Sequence, residues 1–169
     1  IGVGLVGSEM CIRDRPNTNP LTITPEAMEF KLEKAHETSY VDFAFYFGGT
    51  AEYAEHLSEW ENIDGVCGIK IFMGASNGDL LSATDEEIDA IVANGKRVIA
   101  VHAEDESIMN ENKITILGDS NDVAMHYKWR SEESCLNATK RIVSIAKKYS
   151  RNVHILSLIH ISEPTRPTP

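Results

Sequence analysis

The chain has 169 residues, 42% of them hydrophobic and 25% charged, which is the balance of a soluble globular chain of about one domain. Its net charge of −10 argues against a nucleic-acid surface, because phosphate binding needs clustered Lys and Arg. No apolar run reaches the length of a membrane span, and three cysteines without metal spacing, Cys11, Cys67 and Cys135, suit a reducing cytoplasm.

Residues 1–15, IGVGLVGSEMCIRDR, put charge after an apolar stretch, the reverse of a secretory signal. Both this segment and 157–169, SLIHISEPTRPTP, look like translated sequencing-adapter read-through. The expectation is therefore two non-native ends around one domain at 16–156.

Thr24 can cap a helix with Pro25 at its first position, placing Met28, Leu32 and Ala35 on one face. Residues 41–47 read as an aromatic-rich strand ended by Gly48 and Gly49. Thr50 can cap a second helix with the stripe Tyr53, Ala54, Leu57 and Trp60. Residues 66–73 form a short β-branched run suited to a strand buried on both faces, followed by an Asn77-Gly78-Asp79 loop. Thr84 with Glu87 makes a capping box, Ile88, Ile91 and Val92 form the buried face, and Gly95 stops the helix. The next strand is 98–103. Residues 104–127 show no clear periodicity, the mark of a functional loop or lid. A helix at 131–149, with Leu136, Ile142, Val143 and Ala146 inward, leads to a strand beginning at 152.

Two residues on this frame carry chemistry. Side chains alternate along a strand, so Lys70 shares a face with Gly68 and Phe72 while Ile69, Ile71 and Met73 take the other. A buried ammonium is costly, which lowers its pKa and favours a neutral, nucleophilic amine able to capture carbon dioxide as a metal-bridging carbamate. The plainer alternative is a lysine that snorkels to solvent. His102 lies one residue from its strand end, on the face of Val98 and Ala100, either as a hydrogen-bonded core residue or as a ligand. Glu104, Asp105 and Glu106 read as a solvated loop start. The sequon Asn137-Ala138-Thr139, on a predicted helix, reads as inert.

GIKIFMGAS at 68–76 followed by VHAEDE at 101–106 resembles the dihydroorotase branch of the metal-dependent amidohydrolases. Pro16-Asn17-Thr18 is similar to the family's PNT turn, and 129–156 to its sixth strand with the preceding helix. The resemblance implies an α/β fold, a partial TIM-like (β/α) barrel holding about strands three to six. A complete barrel takes about 250 residues. A doubly wound sheet is the rival, although its G-x-G-x-x-G fingerprint is absent.

The resemblance further implies two zinc ions, with a carbamate on Lys70 and the imidazole of His102 among their ligands, and Asn17 holding a substrate carboxylate. As a bare residue in a Pro-Asn-Thr-Asn-Pro turn, Asn17 has a backbone role. The implied reaction is reversible hydrolysis of dihydroorotate to carbamoyl-aspartate in pyrimidine synthesis. The alternatives are a hydantoinase, dihydropyrimidinase or allantoinase, or a catalytically dead homologue acting as an assembly partner. The expected partner is a small-molecule substrate, not nucleic acid or membrane, and self-association stays open. The family's strand-one HxH pair and strand-eight aspartate have no counterpart in the sequence. Its sixth strand reads like HILHIS, whereas here His154-Ile155-Leu156 is followed by Ser157, so neither His154 nor His160 is assigned the ligand role. The 169-residue chain by itself is expected to be inactive.

Overall fold

The computed structural model describes residues 11–74, 80–118 and 122–157. Five strands pair side by side there: β1 (Cys11–Asp14), β2 (Asp42–Gly48), β3 (Val66–Phe72), β4 (Ile99–His102) and β5 (Val153–Ile155). Every pairing is parallel and the spatial order is β1-β2-β3-β4-β5. Each crossover thus advances one strand in the same direction, as a barrel wall must. A doubly wound sheet would reverse its order at a switch point, so that rival is excluded and the partial barrel stands.

The expected strands are β2 to β5. β1 is an addition: it comes from the stretch set aside as adapter-like and lies immediately before the turn at Pro16. Residues 1–10, the expected loop at Asn77-Gly78-Asp79, and 158–169 with His160 lie outside the described residues.

Alternation along the strands sorts the sheet into two faces. One carries Phe45, Phe47, Val66, Ile69, Ile71, Met73, Ile99, Val101 and Ala103, all in the buried core. The helices cover it with apolar stripes. α1 (Pro25–Thr38) starts where Thr24 Oγ1 accepts from Ala27 N at 3.4 Å, and it buries Met28 while Leu32 and Ala35 pack against the core. α3 (Asp85–Ala93) opens with the complete Thr84–Glu87 capping box and buries Ile88, Ile91 and Val92. The other face carries Tyr46, Gly48, Gly68, Lys70, Phe72, Ala100 and His102, and it would line a barrel's interior.

Three expectations change. Thr50 caps nothing, since its buried hydroxyl has no partner among the described residues. The chain there makes only a 3₁₀ turn (Ala54–His56) and one helical turn, α2 (Leu57–Trp60), held by Trp60 stacking on Phe47 and His56. The expected loop after Glu104 is largely helical: α4 (Glu106–Asn112), a π-helical turn (Lys113–Leu117), a 3₁₀ turn (Val123–Met125) and α5 (His126–Trp129). Its periodicity is hidden because these pieces are short and wound differently. In α6 (Glu132–Lys148), capped by Ser131, the inward residues are Cys135, Ala138, Ile142 and Ala146. Leu136 is 55% exposed, because six residues before Ile142 is about 240° round the helix.

At the N-terminal ends of the strands, three connections are fastened by one buried ion pair. Glu61 accepts from Lys96 N (2.5 Å), Arg97 N (3.0 Å) and Arg151 Nη2 (3.1 Å). Arg151 also donates to the carbonyls of Arg97 and Asn94. Gly95 is required beneath them: its φ is +91°, and a Cβ there would meet the Glu61 carboxylate at 2.4 Å. Removing one partner strands a buried charge. Arg151→Met is therefore expected to cost about 3–5 kcal/mol of stability in urea unfolding, and a loss under about 1 kcal/mol would show that the pair does not hold these connections together.

Candidate functional site

The site is built at the C-terminal ends of β3 and β4. Lys70 lies opposite Gly48 of β2 and Ala100 of β4, so its long side chain is flanked by positions with almost no side chain of their own. It is 1% exposed, which rules out the snorkelling alternative. Nζ donates to Ile71 O at 2.7 Å and sits 3.6 Å from the centroid of the Phe72 ring. Neither contact supplies a countercharge. Burial, reinforced by the positive charge of Arg15, pushes the Lys70 pKa down to about 7.

His102 is on the same face, two residues beyond the position opposite Lys70, with Phe72 as its direct cross-strand neighbour. The two rings are 6.4 Å apart. The lysine and the histidine thus share a face and an end of the sheet without touching. His102 Nε2 lies 2.5 Å from Glu104 Oε2. Arg130 Nε donates to Glu104 Oε1 at 3.0 Å, its Nη2 bonds Glu104 Oε2, and the same Nη2 is 3.3 Å from His102 Nε2.

Glu104 is therefore no solvated loop residue; it is 5% exposed. Burial alone would raise its pKa, but the hydrogen bonds from His102 and Arg130 and the guanidinium charge outweigh that and hold it at about 2. Asp105 is buried too. It caps α4 through Ser107 N and Ile108 N, and it accepts from Asn137 Nδ2 (2.7 Å) and Arg141 Nη1 (2.9 Å). Burial pushes its pKa up, and the hydrogen bonds from Ser107, Ile108 N and Arg141 with the guanidinium charge pull it lower on balance. The Asn137 amide is thereby tied to Asp105.

Sequence reasoning passed over Glu104 and Arg130. The i, i+2 spacing of His102 and Glu104, which puts both on one side of an extended segment, was a readable signal; Arg130 offered none, being 26 residues further on.

Asn17 is exposed, in the turn after β1, where Thr18 N and Thr22 N both donate to Pro16 O at 2.9 Å. That turn packs on Gly48, since a Cβ at Gly48 would meet Ile23 at 2.7 Å, Leu80 at 2.8 Å and Pro16 at 3.5 Å. It therefore sits beside the position opposite Lys70. His154 of β5 pairs with Ala100 and is exposed. Ser157, the position of the family's second histidine, bonds the backbone of Ala103 instead, accepting from its N–H at 2.8 Å and donating to its carbonyl at 3.2 Å.

Lys70 and His102 suit a metal in donor type: an amine that is neutral near pH 7 can carry a carbamate, and imidazole suits zinc. They fall short in number, since no group of three or more His, Cys, Asp or Glu able to hold a metal ion occurs among the described residues. Catalytic zinc takes about three protein ligands per ion. The remaining ligands would have to come from elsewhere.

No protein-family model matches the chain. It is 31% identical over 153 residues to an allantoinase of Bacillus velezensis, covering 86% of this chain and 32% of that protein. It is 30% identical over 162 residues to a dihydroorotase of Methanosphaera stadtmanae, covering 92% and 35%. Among solved structures it superposes on an L-hydantoinase (dihydropyrimidinase) from Arthrobacter aurescens with a TM-score of 0.76 at 26% identity, covering 86% of this chain and 33% of that one. A dihydropyrimidinase from Brevibacillus agri, at TM-score 0.72 and 21% identity, bears on the fold alone. The chain spans about a third of the length of the curated relatives it matches.

The burial of Lys70 makes a stability prediction. Its pKa is about 7 folded and 10.5 unfolded, so between those values the unfolded chain holds more protons and stability rises with pH; below about 7 the whole cost is carried. Lys70→Met is expected to stabilise the protein near neutral pH by roughly 3–5 kcal/mol and to flatten that rise. Urea unfolding of both proteins from pH 6 to 10.5 checks this, and parallel stability curves would refute it.

Proposed function

The chain belongs to the dihydroorotase-like amidohydrolases, and on that premise we propose that it forms the centre of a barrel that hydrolyses a cyclic amide, with dihydroorotate as substrate and carbamoyl-aspartate as product, in pyrimidine synthesis in the cytoplasm. The observation that carries this is the fully buried Lys70 amine, without a countercharge among the described residues, on the same sheet face and at the same strand ends as His102.

In this reading Lys70, as a carbamate, and His102 are ligands to a pair of zinc ions, with the other ligands contributed by strands outside 11–157. The metal, when bound, would polarise the amide carbonyl and supply an activated water. The chain's own residues do the rest. Gly48 and Ala100 leave space around the Lys70 side chain, and Glu104 with Arg130 holds the imidazole of His102. Asn17, exposed beside Gly48, can donate its amide to a substrate carboxylate without adding charge.

The second reading is an uncharged-ring enzyme of the hydantoinase or allantoinase kind. Similarity to an allantoinase and an L-hydantoinase, as strong as that to a dihydroorotase, favours it.

In a barrel completed to full length, one experiment tests the lysine assignment that both readings share and a second separates them. Lys70→Ala should lose bound metal and activity together, with partial rescue by short carboxylic acids that replace the carbamate; full metal content and full rate in that variant would refute the assignment. Asn17→Ala should weaken use of a carboxylate-bearing ring by about 1–3 kcal/mol while sparing hydantoin or dihydrouracil. Equal loss on both would remove Asn17 from the carboxylate site, and preference for the uncharged rings would select the second reading. The 169-residue chain alone should bind no stoichiometric zinc and turn over no dihydroorotate. Metal analysis and assay of the purified chain check this, and two tightly bound ions with turnover would overturn the ligand count.

A further inference from the structure

Asn94 and Gly95 end α3 at the opposite side of the sheet from Lys70, and the pair carries a chemistry of its own. The chain's other Asn-Gly pair, Asn77-Gly78, lies outside the described residues. In such a pair no Cβ shields the glycine N–H, so its nitrogen can attack the asparagine amide carbon. The N–Cγ bond forms, the Cγ–Nδ2 bond breaks, and ammonia leaves with the proton of the glycine amide. Water then opens the five-membered imide. Cleavage of the new N–Cγ bond gives aspartate, and cleavage of the original peptide C–N bond gives isoaspartate, whose main chain is one methylene longer. Asn94 and Gly95 are half-buried and line a cleft with Ser58, Glu61, Asn62 and Lys96, so water has access to them.

The fold opposes the first step in three ways. Ring closure needs Gly95 N nearly eclipsed with Asn94 Cβ about the Cα–C bond, which requires a ψ far into the negative range, whereas Asn94 has a ψ of 127°. Its side chain is drawn back along the helix, since Asn94 Nδ2 donates to Ala90 O at 2.9 Å. The peptide that must turn is also clamped on both sides. Asn94 O accepts from Arg151 Nη1, and one residue beyond Gly95, Lys96 N donates to Glu61 Oε1 at 2.5 Å. Arg151 Nη2 closes the loop by donating to Glu61 Oε2 at 3.1 Å. Turning ψ to the reactive value swings the Asn94 carbonyl off Arg151, so the reaction has to pass through a local opening of this latch.

We propose that Asn94 is a deamidation site held closed by the Glu61–Arg151 pair, so that opening of the latch exposes the chain to an irreversible change. Either product adds a carboxylate to the cleft that Glu61 already lines, and isoaspartate also shifts Lys96 N away from Glu61. A transient opening is thereby made permanent. None of this depends on the amidohydrolase reading, and the test needs neither metal nor substrate.

The 169-residue chain is incubated at mildly alkaline pH, native and unfolded in guanidinium chloride, and the one-dalton gain is followed by mass spectrometry of the tryptic peptide 71–96, with fragmentation to separate residue 94 from residue 77. Native wild type is expected to deamidate at Asn94 at least about tenfold more slowly than the unfolded chain, because only the opened fraction reacts. Arg151→Lys keeps the charge and loses the fork, and Glu61→Gln keeps the shape and loses the charge. Each should speed the native reaction severalfold and leave the unfolded rate unchanged. Equal native and unfolded rates in wild type would overturn the proposal. So would a wild-type native rate in either variant once circular dichroism shows it folded. A third measurement needs no variant: in wild type at rising, sub-denaturing guanidinium, the Asn94 rate should climb in step with hydrogen exchange of the Lys96 amide, the latch's own donor. Exchange that accelerates while deamidation does not would overturn the proposal even if both variants fail to fold.

Discussion

The desolvation of one amine governs this structure. Lys70 is held between Gly48 and Ala100, and among the described residues its polar partner is a neutral carbonyl and no carboxylate pairs with it. A core chosen for stability alone would place an apolar side chain there, because a buried ammonium is among the most expensive groups a fold can hold. Stability given up at a position that makes a reactive neutral amine is the pattern of a functional site. The face behind Lys70 is correspondingly strong: Ile69, Ile71 and Met73 are fully buried under α1 and α3.

The two ends of the sheet divide the work. At the N-terminal ends, Glu61 and Arg151 are spent on fastening loops, with every donor and acceptor turned inward. At the C-terminal ends, the charged residues face the site. Glu104 and Arg130 brace His102, and Asp105 with Arg141 anchors the start of α4 to α6. The helical pieces that follow Glu104 carry exposed Ile114, Val123 and Tyr127. Barrels carry chemistry at this end and stability at the other.

Much of the frame was legible in the sequence because it rests on local rules. The Thr84–Glu87 box, the Thr24–Pro25 start and the alternation that puts Lys70 opposite Ile69 and Ile71 depend on neighbours a few residues apart. What escaped depends on distant partners. Thr50 looked like a cap, yet among the described residues its hydroxyl has no partner. Glu104 and Asp105 looked solvated because their countercharges, Arg130 and Arg141, arrive from 26 and 36 residues away. Leu136 looked inward by its type, whereas the phase of α6 around Ile142 turns it out. β1 was set aside on the character of its sequence, and the fold nonetheless pairs it with β2.

The protonation state of Lys70 can be observed without metal, substrate or a completed barrel. Labelling the lysines with ¹³C at Cε and following the Lys70 signal, assigned by its loss in Lys70→Met, gives its titration directly between pH 5.5 and 11. A midpoint near 7 is the expected result, because burial lowers the Lys70 pKa to about 7. A midpoint near 10.5, that of an ordinary solvated lysine, would mean that the amine reaches water and that nothing at this strand end is prepared to react.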